Sequence, residues 1–312
     1  MKRAFVTGGS GFVGGALLEA LKARGVESVA LVRSETAAAK VRDRGAVAVI
    51  GSLSDENQPA VVEAMRGCDV LFHSAATTKE YGDAEEFWTT NVGGTKAMLA
   101  LAKQAGIARF VHVSTEAVLA DGHPIIRADE TTPYPKHPAG LYPTTKGEAE
   151  RIAIAGNAIV IRPRFIWGRG DTSLMPTLIE AVNKGRFGWI GGGHFLTSTC
   201  NIDNVIEGAF LAAEKGKPGQ VYFLTDGEPV DFRDFLTKLL ATQGCDASKS
   251  RSVPKWVAKL AATATGWMKH PMVTKTAIAL VGGEVTVIDA KARRELGYTG
   301  AKTIEAGLAE MT

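Results

Sequence analysis

The chain has 312 residues, 45% of them hydrophobic, with 36 basic and 33 acidic side chains and a formal net charge of +3. That length suits one large domain or two unequal lobes sharing a core, and the near balance of charge excludes the broad positive surface that grips nucleic-acid phosphates. Cys68, Cys200 and Cys245 are far apart, odd in number and without metal spacing, which argues against a disulfide framework or a zinc site and fits a reducing, cytoplasmic setting.

The first apolar run, residues 3–7, leads straight into Thr7-Gly8-Gly9-Ser10-Gly11-Phe12-Val13-Gly14 and an amphipathic helix over 12–24. Strand, glycine-rich turn and helix in that order make a dinucleotide mouth. The glycines let the backbone turn sharply and approach a pyrophosphate, and the free N–H groups that open the helix face its charge. Gly8, Gly9, Ser10, Gly11, Phe12, Val13 and Gly14 are therefore candidate cofactor contacts. The segment before them is too short for a signal-peptide core, and no run reaches the ~18 apolar residues of a membrane span.

Strand-length apolar runs recur at 28–32, 46–50, 69–73, 109–113 and 157–161, separated by helix-period stretches. This βαβ alternation predicts an α/β fold, a Rossmann-type doubly wound parallel sheet covered on both faces. The second strand ends at Arg33, where an acidic residue would hold the adenosine ribose hydroxyls. A guanidinium there suits a 2′-phosphate, so NADP is expected over NAD, with Ser10 and Ser34 as further donors. Ser52-Leu53 after the third strand and Ser74-Ala75-Ala76 after the fourth fall at the ligand crevice of such a sheet.

Residues 121–140 carry Pro124, Pro133, Pro135 and Pro138 and are expected to form a long loop. After Pro163 the pattern changes to a glycine-rich stretch at 185–193, a helix at 205–214, a strand at 221–224 and a helix at 232–242. The expected division is a cofactor-binding core over 1–163, rejoined by a strand at 220–225, and a smaller, mixed C-terminal lobe over 164–312 that mainly binds substrate. Residues 254–281 are apolar with lysines at 255, 259, 269 and 275. Gly266, His270 and Pro271 interrupt any continuous amphipathic face, so helices covering a hydrophobic substrate pocket or the core are expected there rather than a membrane-surface helix.

Tyr142 and Lys146 stand four residues apart and share one helix face. A nearby cation favours phenolate, and bringing a tyrosine from its usual ~10 to about 7 takes roughly 4 kcal/mol of preferential stabilisation. Tyr142 then serves as general acid or base on a carbonyl or hydroxyl oxygen. Ser114-Thr115, closing the fifth strand, offer hydroxyls to the same oxygen. Asn91, in Asn91-Val92-Gly93-Gly94-Thr95, is a candidate to hold backbone or water nearby.

Thr-Gly-x-x-Gly-x-x-Gly at 7–14, His-x-Ala-Ala at 73–76, Asn-Val-x-Gly-Thr at 91–95, Tyr-x-x-x-Lys at 142–146 and Arg162-Pro163 together resemble the extended short-chain dehydrogenase/reductase family over nearly the whole chain. Asp203-Asn204-Val205, the run 225–230 and the run 291–298 are most similar to its 3β-hydroxysteroid and sterol dehydrogenase branch. The resemblance implies Thr115, Tyr142 and Lys146 as catalytic hydroxyl, acid/base tyrosine and supporting lysine. It also implies that Tyr142, Lys146, Asn91 and Pro163 lie against the cofactor, and that the protein is a homodimer through helices near 84–105 and 140–154. Threonine at 115 departs from the commoner serine, and Arg33 from the acidic residue of NAD-using relatives. The expected activity is hydride transfer between NADP(H) and a bulky apolar ketone or secondary alcohol, steroid- or sterol-like, dihydroflavonol-like or a long β-keto acid. The alternative is a nucleotide-sugar epimerase or dehydratase that retains NAD. Such enzymes commonly carry an arginine shortly before the position of Asp203, where this chain has Ser198-Thr199-Cys200-Asn201. No metal is expected.

Overall fold

Strand and helix alternate through the first half of the chain: β1 (Arg3–Thr7), α1 (Phe12–Ala23), β2 (Glu27–Val32), α2 (Glu35–Asp43), β3 (Val47–Ile50), α3 (Pro59–Met65), β4 (Val70–His73), α4 (Ala84–Phe87), α5 (Gly94–Ala105) and β5 (Arg109–Val113). A π-helical turn, Trp88–Gly93, joins α4 to α5, and a 3-10 turn, Glu116–Leu119, follows β5. Then come β6 (Ile125–Ala128), α6 (Leu141–Ala155), β7 (Ile159–Pro163), β8 (Ile166–Trp167), α7 (Met175–Asn183), β9 (Gly188–Ile190), β10 (Leu196–Thr197), β11 (Cys200–Asn201) and α8 (Ile202–Lys215). The chain ends through β12 (Val221–Leu224), β13 (Val230–Asp231), α9 (Phe232–Ala241), β14 (Arg251–Val253), α10 (Lys255–Thr265), α11 (Lys275–Val281), β15 (Val285–Val287), α12 (Ala290–Leu296) and α13 (Ile304–Ala309). The structure, a computed structural model, describes residues 1–78, 82–265 and 273–312.

Seven strands form one parallel sheet in the order β3-β2-β1-β4-β5-β7-β12. Side chains alternate across it. Ala4 and Val6 of β1 pack with Leu17, Leu18, Leu21 and Phe210 on one face, while Phe5 packs with Val61, Met65, Met98 and Leu101 on the other. Both faces are covered, which is why the strands read as unbroken apolar runs. Each buried Leu, Phe or Met contributes about 1.5–3 kcal/mol relative to exposure. Order reverses at β1, whose neighbours β2 and β4 lie on opposite sides, and an open α/β sheet binds its ligand at such a switch point.

A second sheet, β13-β10-β15-β6, and two short ladders, β8 with β11 and β9 with β14, build the smaller lobe around an aromatic core of Trp167, Trp189, Phe232 and Phe235. The long loop expected over 121–140 is corrected here: it holds β6, paired in parallel with β15 through Ile125 and Val285. The apolar pair Ile125-Ile126 is the local signal for that strand, set among prolines and charges. The strand expected at 157–161 runs two residues later, and the helix expected at 205–214 begins at Ile202, capped by Asn201, whose side chain accepts from Asp203 N at 2.9 Å. Gly266, Lys269, His270 and Pro271 lie outside the described residues. Among the described residues no helix is long and apolar enough to cross a membrane, and all three cysteines are free thiols.

Candidate active site

The glycine-rich turn sits at the switch point, between the ends of β1 and β4. Gly8 has φ +75°, and a Cβ there would come within 2.8 Å of Ala75 N; a Cβ at Gly14 would lie 2.2 Å from Gly8 O. Only glycine fits this cradle. Gly11, the residue before α1, gives no side-chain cap, which leaves the first N–H groups of the helix for an anion. These features fit a dinucleotide pyrophosphate. Ser74 closes the β4 side by donating to Thr7 O at 2.7 Å, and Ala75 N donates to Thr7 Oγ1 at 3.2 Å. Ser52 is exposed after β3, and Leu53 lies against Gly94.

His73, behind this turn, bridges the hydroxyls of Thr7 at 2.8 Å and Thr95 at 3.1 Å. Burial and then the Lys146 cation push its pKa down to about 3, so it stays neutral. Asn91, on the π-helical turn, has every polar atom engaged: Oδ1 accepts from Thr77 N at 2.8 Å, and Nδ2 donates to Thr77 O at 3.2 Å and Thr145 Oγ1 at 3.0 Å. It ties the segment after β4 to α6.

Beyond β5 and α6, Thr115 and Tyr142 line one cavity, and Lys146 is bonded to the end of β5. Tyr142 lies on the first turn of α6, after Gly140 at φ +111°, and Lys146 lies one turn further on. Lys146 is buried and donates to Val113 O at 2.8 Å. Burial brings its pKa down to about 8, against the opposing pull of Glu150. Burial raises the Tyr142 phenol above the usual tyrosine range, the charge of Glu116 adds to this, and the Thr115 hydroxyl works against both. The expected lowering draws on Lys146 together with the positive charge of an oxidised nicotinamide; in the chain alone burial and Glu116 hold the phenol protonated.

Thr115 and Ser114 part company. Thr115 Oγ1 donates to Glu116 Oε2 at 2.8 Å and lines the cavity with Tyr142. Ser114 Oγ instead donates to Glu150, which also takes the Tyr134 hydroxyl and both nitrogens of a forked Arg162, with Nε at 3.0 and 3.1 Å. The two hydroxyls differ in their glutamate partner and share the cavity, which Ser114 also lines.

Two charged residues escaped the sequence reading. Arg164 Nη1 pairs with Glu116 Oε1 at 3.1 Å, and both side chains are buried. Register explains the meeting: Val113 of β5 lies opposite Ile161 of β7, and each charge stands three residues beyond its strand partner. The available signal was a charge just past each of two crevice-side hydroxyl or proline ends, Ser114-Thr115-Glu116 and Arg162-Pro163-Arg164.

These groups form the reactive end of a cavity of about 610 Å³, a size that suits a small-molecule ligand. Pro163 joins Thr115, Glu116, Tyr142 and Arg164 there, while the far wall is mainly apolar, drawn from Leu174 just before α7 and Leu178 within it, Phe187, Trp189 and Ile190 around β9, Phe232 and Leu236 of α9, and Leu280 and Val281 of α11. The expected cover by the 254–281 segment is met in α11.

Comparison with known proteins gives this geometry its kin. Residues 5–255 match the 3-beta hydroxysteroid dehydrogenase/isomerase family. The chain is 50% identical to the 4-hydroxy-2-methyl-3-oxo-4-farnesyl-3,4-dihydroquinoline-1-oxide ketoreductase of Stigmatella aurantiaca, over 98% of this chain and 94% of that one. It is 32% identical to the decarboxylating sterol-4-alpha-carboxylate 3-dehydrogenase of Dictyostelium discoideum over 100% of both. The fold is that of the dTDP-glucose 4,6-dehydratase DesIV of Streptomyces venezuelae, solved with NAD, at TM-score 0.76, 24% identity, 99% of this chain and 95% of that one.

The preference for NADP drawn from Arg33 is corrected by these structures: this one and five further solved folds of the same kind hold NAD. Arg33 is exposed at the end of β2, and a guanidinium presents a flat face that stacks on a ring as readily as its edge grips a phosphate. The chain belongs to the 3-beta hydroxysteroid dehydrogenase/isomerase family, within the extended short-chain dehydrogenases/reductases, and is an NAD(P)-dependent oxidoreductase.

Proposed function

We propose that the protein uses NAD(H) to interconvert a ketone and a secondary alcohol carried on a bulky, mainly apolar body. The observation that carries this reading is that Thr115 and Tyr142, one helical turn before the buried Lys146, line one end of a cavity whose other walls are mainly apolar. The farnesylated substrate named for the 50% identical ketoreductase supports it. In this reading residues 1–163 mainly hold the cofactor and residues 164–312 mainly hold the substrate.

When bound, the nicotinamide supplies or receives the hydride at the carbonyl carbon. Tyr142 gives its phenolic proton to the carbonyl oxygen in reduction and takes it back in oxidation. Thr115 holds that oxygen beside the phenol, and Lys146 supports the phenolate once the proton has left. Gly8 to Gly14 hold the pyrophosphate, with Ser74, Ala75 and Ala76 along its far side.

A second reading, a nucleotide-sugar epimerase or dehydratase that retains NAD, is favoured by solved folds like this one, several of which hold NAD with nucleotide sugars or related nucleotides. One experiment separates the two. Protein is purified, its cofactor identified by mass, and decalin- or farnesyl-bearing ketones are offered beside UDP- and dTDP-hexoses. Net change in nicotinamide absorbance with the apolar ketones supports the first reading. Sugar conversion with tightly held NAD and no net absorbance change supports the second, and turnover of neither class sinks both.

A further inference from the structure

The cavity's reactive end holds more charge than an apolar ketone asks for. Glu116 and Arg164 are a buried ion pair on its wall, held in place from several sides: Arg164 Nη2 donates to Thr197 Oγ1 at 3.1 Å and to Leu280 O at 2.8 Å, and Thr115 donates to Glu116 at 2.8 Å. Taking such a pair out of water is costly unless further hydrogen bonds complete it. It is not complete. Arg164 Nε is buried without a partner. One oxygen of Glu116 is met by Arg164 and the other by Thr115, and each has a second acceptor site to fill.

We propose that Glu116 and Arg164 read a hydroxyl on the carbon next to the substrate carbonyl, so that the protein selects α-hydroxyketones. A hydroxyl is the small group that donates to a carboxylate and accepts from a guanidinium at once. A carboxylate in its place would face the charge of Glu116, and a plain methylene would leave the pair as it stands. Placement matches. Thr115 has one proton: turned from Glu116 to a carbonyl oxygen beside Tyr142, it leaves Glu116 Oε2 without its donor, and a hydroxyl on the neighbouring carbon is the group that replaces it. The inference rests on Tyr142 as the carbonyl-binding acid and holds for either substrate body, because a keto-hexose also carries a hydroxyl beside its carbonyl.

The test is calorimetric titration of the holoenzyme, with saturating NAD+, by 2-hydroxy-2-methyl-1-tetralone and by 2-methyl-1-tetralone. The tertiary alcohol prevents oxidation of the probe. The wild type is expected to bind the hydroxyketone at least about ten-fold more tightly. In Glu116→Met/Arg164→Met, which exchanges the pair for apolar side chains of similar length, the ratio is expected to fall within about two-fold. Glu116→Gln provides the same ratio if the double variant does not melt cooperatively. Equal affinities in the wild type, or a ratio that survives in the variants, overturn the inference and leave the ketone reading intact. Failure of the wild type to bind either ketone overturns both.

Discussion

The ammonium of Lys146 lies 2.8 Å from the carbonyl oxygen of Val113, tying the middle of α6 to the end of β5. Burial lowers its pKa from 10.5 to about 8. The unfolded chain therefore holds the extra proton between those two values, and native stability rises with pH across that window. Relative to Lys146→Met, the wild type is expected to gain roughly 3 kcal/mol between pH 8 and 10.5. Urea unfolding of both proteins across the window checks the slope; a parallel pair of curves refutes it.

Tyr142 is protonated through neutral pH because burial and Glu116 hold its phenol up. Tyr142→Phe removes the proton but little of the shape. Turnover is expected to fall by about 10²–10⁴ while NAD stays bound, which cofactor release and absorbance measure together. Turnover at the wild-type rate removes Tyr142 from the mechanism.

Arg164→Met leaves Glu116 charged, buried and unpaired. Unfolding free energy is expected to drop by about 3–5 kcal/mol, and the added Glu116→Met to restore most of it. Additive losses in the two variants would show that the side chains do not act as a pair.

Gly14→Ala sets a methyl group 2.2 Å from Gly8 O. The turn must shift, and with it the N–H groups that open α1. Overpacking of this kind costs about 1–3 kcal/mol, so NAD affinity is expected to weaken by about five-fold to a hundred-fold. Equilibrium dialysis checks it, with circular dichroism to show that the sheet persists.

Gly8, Gly11 and Gly14 were legible in the sequence because their demand is local: a turn, a close approach and a helix start fall within seven residues. Tyr142 and Lys146 were legible because helix geometry alone puts them on one face. Glu116 with Arg164 was not, since it depends on which strand lies beside β5 and in what register, and Ser114 with Glu150 was not, since it depends on how α6 packs over the end of β5. β6 was hidden for the same reason, its partner β15 lying far along the chain. Arg33 teaches a different lesson. Its place at the end of β2 follows from the pattern, but what an exposed guanidinium does there does not.

The reactive end of the cavity hangs from the parallel sheet and α6, whereas the apolar wall is contributed by α7, β9, α9 and α11. Inheritance can therefore act on the two parts separately. Exchange of wall residues reshapes the space that admits a ligand without moving the Tyr142 phenol or the Thr115 hydroxyl.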